Sequence, residues 1–551
     1  MAIGSRSSIK ESPNSLSRWL IPSVADLIFI ALLGLLSFTA LSVRLLGDAG
    51  IGWHIRTGQM ILTTHTIPRS DSFSASMAGQ PWFAWEWLYD LLVGLFDRAA
   101  GLNGVVAFTA LVIALTFSGT YLLLLRRGTN FLVALVLVLF AASAAMIHFF
   151  ARPHVLSWLF TVIWFYLLDY SEIQQTAEKK RDWPLWLLPL SMVLWVNIHG
   201  GFLLGLALLA IYWLSAVWQY FRLPEDRFDD VLLRLRVSKR IRDLTLVGLT
   251  SGLATLINPY GWRLHLHIYN YLSNHFLMDH IDEFQSPNFH GVAQKCFAVL
   301  LMLALLAFAS RNRDGRPIRI SELFVILLAV YSALYASRNI PTSGLLLILV
   351  IGPRLSNSVP ALAAPWQRRN NRSGSQDSLQ FFERMQAIES SLHSHLWPIV
   401  AVILTCWITL HGGELGTKPV MNARFDHHRF PAAALDYLAQ NNLPFINAHA
   451  ASEHAAVFAP DYWGGYLIYR FYPQIKVVID DRHDFYGEKF LKSYLKTMHV
   501  EPGWKDFLDQ HPAQFVIVPK DSAISNILAE TPAWQPIYND EVAVIFTPAS
   551  H

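Results

Sequence analysis

Long apolar runs separated by short polar breaks dominate the first three quarters of this chain. Runs able to cross a hydrocarbon core about 30 Å thick lie at 22–46, 102–125, 130–149, 154–170, 184–198 and 201–221, then at 243–258, 295–310, 319–337, 341–353 and 396–411. The pattern predicts an α-helical polytopic membrane protein of about eleven transmembrane helices. The N-terminal segment 1–21 is polar through Arg18, and the first run lacks a small-residue cleavage site, so it reads as a retained helix. The gap at 47–101 is a long loop, in which Glu86, Asp90 and Asp97 would share one face of a helix. A polar stretch over 356–394 reads as a linker. Over 412–551 the pattern becomes that of a soluble α/β domain. Ala432 to Gln440 reads as a helix. Short strands are expected at Pro444–Ile446, Lys476–Asp480, Phe515–Val518 and Val542–Phe546.

Charge orients the spans. One set of loops carries Arg126, Arg127, Lys179, Lys180, Arg181, Arg234, Arg236, Lys239, Arg240, Arg242, Arg311, Arg313, Arg316, Arg319, Arg368, Arg369 and Arg372, while the alternate loops are poor in Lys and Arg. The positive-inside rule then puts the N-terminus in the cytoplasm and everything after Leu410 outside. The cytoplasmic loops are expected to hold only solvating charges. Composition agrees with a lipid solvent. Hydrophobic residues make up 53% and charged residues only 15% of the 551, against roughly 25% charged in a soluble domain. A net charge of +3 gives no reason to expect nucleic acid. The two cysteines, Cys296 and Cys406, lie in apolar runs and read as packing residues.

The polar residues that hydropathy leaves unexplained all fall on the outer face. Asp48 follows the first span among small residues, and Trp53-His54 and Trp85-Glu86-Trp87 share its loop. Arg152-Pro153-His154, Asn197-Ile198-His199-Gly200, Asn258-Pro259-Tyr260-Gly261, Glu283 and Arg338 mark later helix ends. Ionisable groups at helix ends commonly line a cavity. A carboxylate there can take a proton as general base, and arginine can hold a phosphate with paired hydrogen bonds. Asp48, Glu86 and His54 are thus the candidate catalytic groups. Arg152, His154, Asn197, His199, Tyr260, Glu283 and Arg338 are the candidate donor-phosphate and substrate ligands. In the tail, Asp480, Asp481, Arg482 and Tyr486 at a strand end form a candidate acceptor site. Neither a Walker loop nor a His-Glu-x-x-His motif occurs, so ATP hydrolysis and zinc proteolysis lack support.

The long outer loop with an acid just beyond the first span resembles the C-fold (GT-C type) membrane glycosyltransferases. The resemblance is closest to bacterial members without an assigned substrate, through Trp53-His54, Glu86-Trp87-Leu88, Arg152-Pro153-His154, Asn197-Ile198-His199-Gly200, Gly464-Gly465-Tyr466-Leu467 and Asp480-Asp481-Arg482-His483. It implies sugar transfer from a polyprenyl-phosphate donor to a glycan, lipid or protein acceptor on the outer face of a bacterial inner membrane. Asp48 would correspond to the catalytic acid. Many members carry paired acids in that loop, whereas Asp48 has no acidic neighbour. A divalent cation (Mg or Mn) would therefore need Glu86 or Glu283 as a further ligand. A glycan ligase or polymerase would share this donor chemistry. A transporter or flippase is the alternative from another class, although no paired repeat is evident.

Overall fold

A computed structural model describes residues 20–176, 183–223, 228–309, 317–369, 384–389, 391–392, 395–441 and 455–549. Ser23 and Asp26 cap the first helix reciprocally: Ser23 N–H donates to Asp26 at 2.8 Å, and Asp26 N–H donates to Ser23 Oγ at 3.2 Å. The helices of the apolar region are α1 (Val24–Phe38), α2 (Ile51–Thr64), α3 (Trp87–Arg126), α4 (Phe131–Ala145), α5 (His154–Thr176) and α6 (Leu187–Val196). They continue with α7 (Phe202–Arg222), α8 (Phe228–Ala254), α9 (Val292–Ala309), α10 (Ile320–Tyr335), α11 (Ile340–Arg369) and α12 (Leu396–Leu410). α3 breaks at Ala100–Gly101, where Gly101 has φ 59°. Its first part thus belongs to the long loop and its second to the bundle.

Each expected apolar run falls on a helix. Among the described residues, five helices are long and apolar enough to cross a membrane, and Val24–Phe38, Pro184–Val196, Ile320–Tyr335 and Leu396–Leu410 are shorter apolar helices. Runs 154–170 and 243–258 lie in or largely in α5 and α8, outside both groups. The chain is a multi-pass membrane protein, with side chains such as Met302 and Leu305 exposed on its apolar flank. α11 continues to Arg369, so the first part of the expected linker is helical.

The C-terminal α/β domain contains α13 (Ala432–Asn441), α14 (Asp461–Phe471) and α15 (His483–Met498). Its strands are β1 (Ala455–Phe458), β2 (Ile475–Val477), β3 (Phe515–Pro519), β4 (Trp534–Asn539) and β5 (Ala543–Pro548). The sheet order is β2-β1-β3-β5-β4, parallel across the first three strands and antiparallel across the rest. The expected strand at Pro444–Ile446 lies outside the described residues.

The domain is seated on the long loop. Ala75 N–H donates to Val477 O at 2.8 Å and Val477 N–H donates to Phe73 O at 3.2 Å, which extends the sheet edge with loop backbone. α14 lies directly on α2. A Cβ on Gly52 would fall 2.0 Å from Gly465 O, and one on Gly465 would fall 2.3 Å from Ala49 O, so only glycines permit this approach.

Candidate active site

That close packing brings three distant segments together. Arg152, just before α5, donates through Nη2 to Asp48 Oδ1 at 2.8 Å and to Asp481 Oδ2 at 2.6 Å. Trp53 of α2 donates its indole N–H to Asp481 Oδ1 at 2.9 Å. Gly50 N–H donates to Asp48 Oδ1 at 2.9 Å. A Cβ on Gly50 would sit 2.4 Å from Asp481 Oδ2 and 2.6 Å from Arg152 Cζ, so the missing side chain is what lets the carboxylate and guanidinium close. Burial opposes the Arg152 charge, but Asp48 and then Asp481 more than offset it and keep the group firmly cationic. Burial pushes the Asp481 carboxyl up, against the pull of Arg152.

Beside this cluster stands Glu86, immediately before α3. Burial pushes its carboxyl up to about 8; Arg152 opposes the shift and Asp484 adds to it. His54 Nε2 lies 3.9 Å from Glu86 Oε2, and His54 Nδ1 lies 2.5 Å from Asp90 Oδ1. His54 is fully buried and stacks on Trp53 with ring centres 3.6 Å apart. Burial first, then the charge of Arg152, hold its pKa well below the usual value, so the ring is neutral at pH 7. Burial pushes the Asp90 carboxyl well above its usual pKa, and this carboxyl shares one hydrogen bond with His54 Nδ1, which leaves Nε2 facing Glu86. His54 Nε2 has no other hydrogen-bond partner.

His199 approaches from the other side, its Nε2 4.0 Å from Glu86 Oε1. Gly201 N–H donates to His199 Nδ1 at 3.0 Å, which places the ring proton on Nε2, toward Glu86. Ser157 Oγ lies 2.9 Å from the same Nδ1 and accepts from Trp195 Nε1 at 2.7 Å. Burial, then Arg338, push His199 well below its usual pKa. At the rim, Glu283 lies 3.2 Å from Arg338, whose guanidinium stacks 4.5 Å over Phe284. Burial pushes Glu283 up, yet Arg338, His148 and Arg152 overcome it and hold the carboxyl at about 2. His154 lies 2.8 Å from His148 O through Nε2.

The structure thus brings together Asp48, His54, Glu86, Arg152, His154, His199, Glu283, Arg338 and Asp481. Several other expected ligands are engaged by groups of the protein itself. Asn197 is 5% exposed; it accepts from Trp87 Nε1 at 2.7 Å and donates to Val193 O and Ile257 O, so its amide anchors the start of α3. Tyr260 OH accepts Ala84 N–H at 2.8 Å, and its ring packs on Phe83, bracing the strand of chain that leads to Glu86. The tail cluster also divides. Asp480 is buried in a two-pronged pair with Arg482 and accepts from Tyr486 OH at 2.9 Å. Arg482 further pairs with Asp71 at 2.8 Å and lies over Trp82. These three residues clamp the domain to the loop, and Asp481 alone turns into the site. Asp90, Ser157 and Trp195 complete it. Asp90 was signalled by its spacing from Glu86, whereas Ser157 and Trp195 sit in apolar runs with nothing to distinguish them.

The Arg152 guanidinium stands between Asp48 and Asp481, and among the described residues no group of three His, Cys, Asp or Glu could hold a metal ion.

The fold defines the class. Over 97% of this chain and 74% of the other, the structure superposes on the oligosaccharyltransferase of Archaeoglobus fulgidus tethered to an acceptor peptide containing the NVT sequon, with TM-score 0.55 and 13% identity. The apo form of that enzyme gives TM-score 0.53 and 12% identity over the same shares. The chain therefore has a GT-C-type fold. No protein-family model matches it, and no curated protein matches it by sequence.

Proposed function

We propose that the chain is a membrane glycosyltransferase that moves a sugar from a polyprenyl-phosphate donor to an acceptor hydroxyl on the outer face of a bacterial inner membrane, with the N-terminus inside and the α/β domain outside. The observation that carries this reading is Glu86, a carboxyl raised to about 8 beside the neutral His54 and the Arg152 cluster. Glu86 takes the proton of the acceptor hydroxyl. The acceptor oxygen bonds to the anomeric carbon as the carbon–oxygen bond to phosphate breaks, and the phosphate departs with the bonding electron pair. Arg152 uses only Nη2 for its two carboxylates, so its other N–H groups remain to grip that phosphate, with Arg338 opposite. Asp48 and Asp481 hold Arg152 in place, a different role from the base expected of Asp48. The likeness to an enzyme that takes an acceptor peptide supports transfer onto an acceptor, but at 13% identity it argues for the fold alone.

The test is transfer from a polyprenyl-phosphate sugar by purified protein in nanodiscs. Arg152→Lys should weaken donor binding, because an ammonium cannot reproduce the fork. Unchanged donor affinity in folded Arg152→Lys and Arg338→Lys would remove the phosphate grip and with it this reading.

A further inference from the structure

The opposite end of the bundle holds a second charged assembly, where only solvating loop charges were expected. It lies about 27 Å along α5 from His154, at 1.5 Å per residue. Arg127 pairs with Asp169 and, at 2.8 Å, with Glu322. Arg319 reaches Asp169 at 2.6 Å, Glu172 at 3.0 Å and Glu322 at 2.8 Å. Arg240 reaches Glu172 at 3.2 Å. These residues frame a cavity of about 760 Å³ that Arg222 and Arg354 also line. Among the described residues the guanidiniums of Arg127, Arg222, Arg240 and Arg319 thus meet three carboxylates, and all three carboxylates are already engaged. Arg240 is only 4% exposed, yet among the described residues its Nε and Nη2 have no acceptor. Buried guanidinium donors without a partner are costly, and an anion supplied from outside would satisfy them.

Next to this cavity runs an apolar groove of about 420 Å³ formed by Leu214, Val217, Phe221 and Phe324, and the two share Trp218 and Arg222. Phe221 is 78% exposed, and Arg222 lies 5.1 Å over Trp218 at the junction. We propose that the pair of cavities binds an anionic phospholipid, with the phosphate among the arginines and an acyl chain along the groove. Planar guanidiniums suit phosphate oxygens, and the adjoining apolar groove favours a lipid phosphate over a free one.

The experiment uses the full chain in neutral detergent. Native mass spectrometry reads lipid retention, and thermal unfolding reads stabilisation by phosphatidylglycerol, by phosphatidylcholine of the same chains, and by inorganic phosphate. Phosphatidylglycerol alone should be retained and should raise the midpoint. Arg222→Gln and Arg240→Gln should each weaken its retention roughly tenfold. Arg242→Gln, on the same helix and paired with Asp243 at 2.9 Å, should leave retention intact. Arg222 is exposed, so its variant carries the test if Arg240→Gln fails to fold. Equal retention of phosphatidylcholine, equal stabilisation by inorganic phosphate, or wild-type retention in Arg222→Gln would overturn the proposal.

Discussion

A carboxyl titrating near 8 is partly ionised at neutral pH, so transfer that depends on Glu86 as base should rise from pH 6 and level off above about 8. Glu86→Gln should lower turnover by roughly 10²–10⁴ while donor binding survives. Asp48→Asn, which removes a charge from the Arg152 cluster, should act mainly on donor affinity. A dead Asp48→Asn beside an active Glu86→Gln would return the base to Asp48. The same shift has a stability sign. Because the folded pKa of Glu86 is raised, its protonated form favours folding below about 4.5, and that contribution is lost as pH rises through about 8. Unfolding midpoints measured from pH 5 to 9 should fall less steeply in Glu86→Gln than in the wild type. Asp48 and Arg152 were legible as candidates because each is an ionisable group beside an apolar run, and Glu86 because it stands between tryptophans in the long loop. The roles of Asn197 and Tyr260 were not legible, because whether an amide or phenol faces substrate or backbone depends on partners far away in sequence.

Among the elements, α14 and α2 decide whether the site assembles. Gly465→Ala would drive a methyl group onto the Ala49 carbonyl. Such overpacking costs about 1–3 kcal/mol, and here it should also part Asp481 from Arg152. A lowered unfolding midpoint together with weakened donor binding is the expected outcome; a change in neither would mean the two helices can separate freely. The apolar helices were readable because lipid-length runs leave few alternatives. Two strands were not. β1 is four residues with two alanines, a weak strand signal. β4 is an edge strand containing Pro536 with no fully buried position, so no inward-facing alternation marks it.

For the whole molecule, orientation is the property to test. In a chain freed of Cys296 and Cys406, cysteines at Ser70 and Asp521 should react with an impermeant thiol reagent in intact cells, whereas one at Ser373 should not. Labelling at Ser373 would invert the assignment and place Glu86 inside. The charged assembly at the far end was visible in sequence only as loop arginines. Its cavity depends on how α3, α5, α7, α8, α10 and α11 pack, and hydropathy carries no record of that.

The bond from Trp53 to Asp481 joins residues 428 positions apart in the chain, so the proposed site is built from segments made at widely separated times during synthesis. Asp48, Glu86 and Arg152 are synthesised well before Asp481. Without Asp481 the guanidinium has one carboxylate fewer to hold its direction. If Arg152 grips a phosphate as proposed, that grip is set only once the segment carrying Asp481 has folded onto α2.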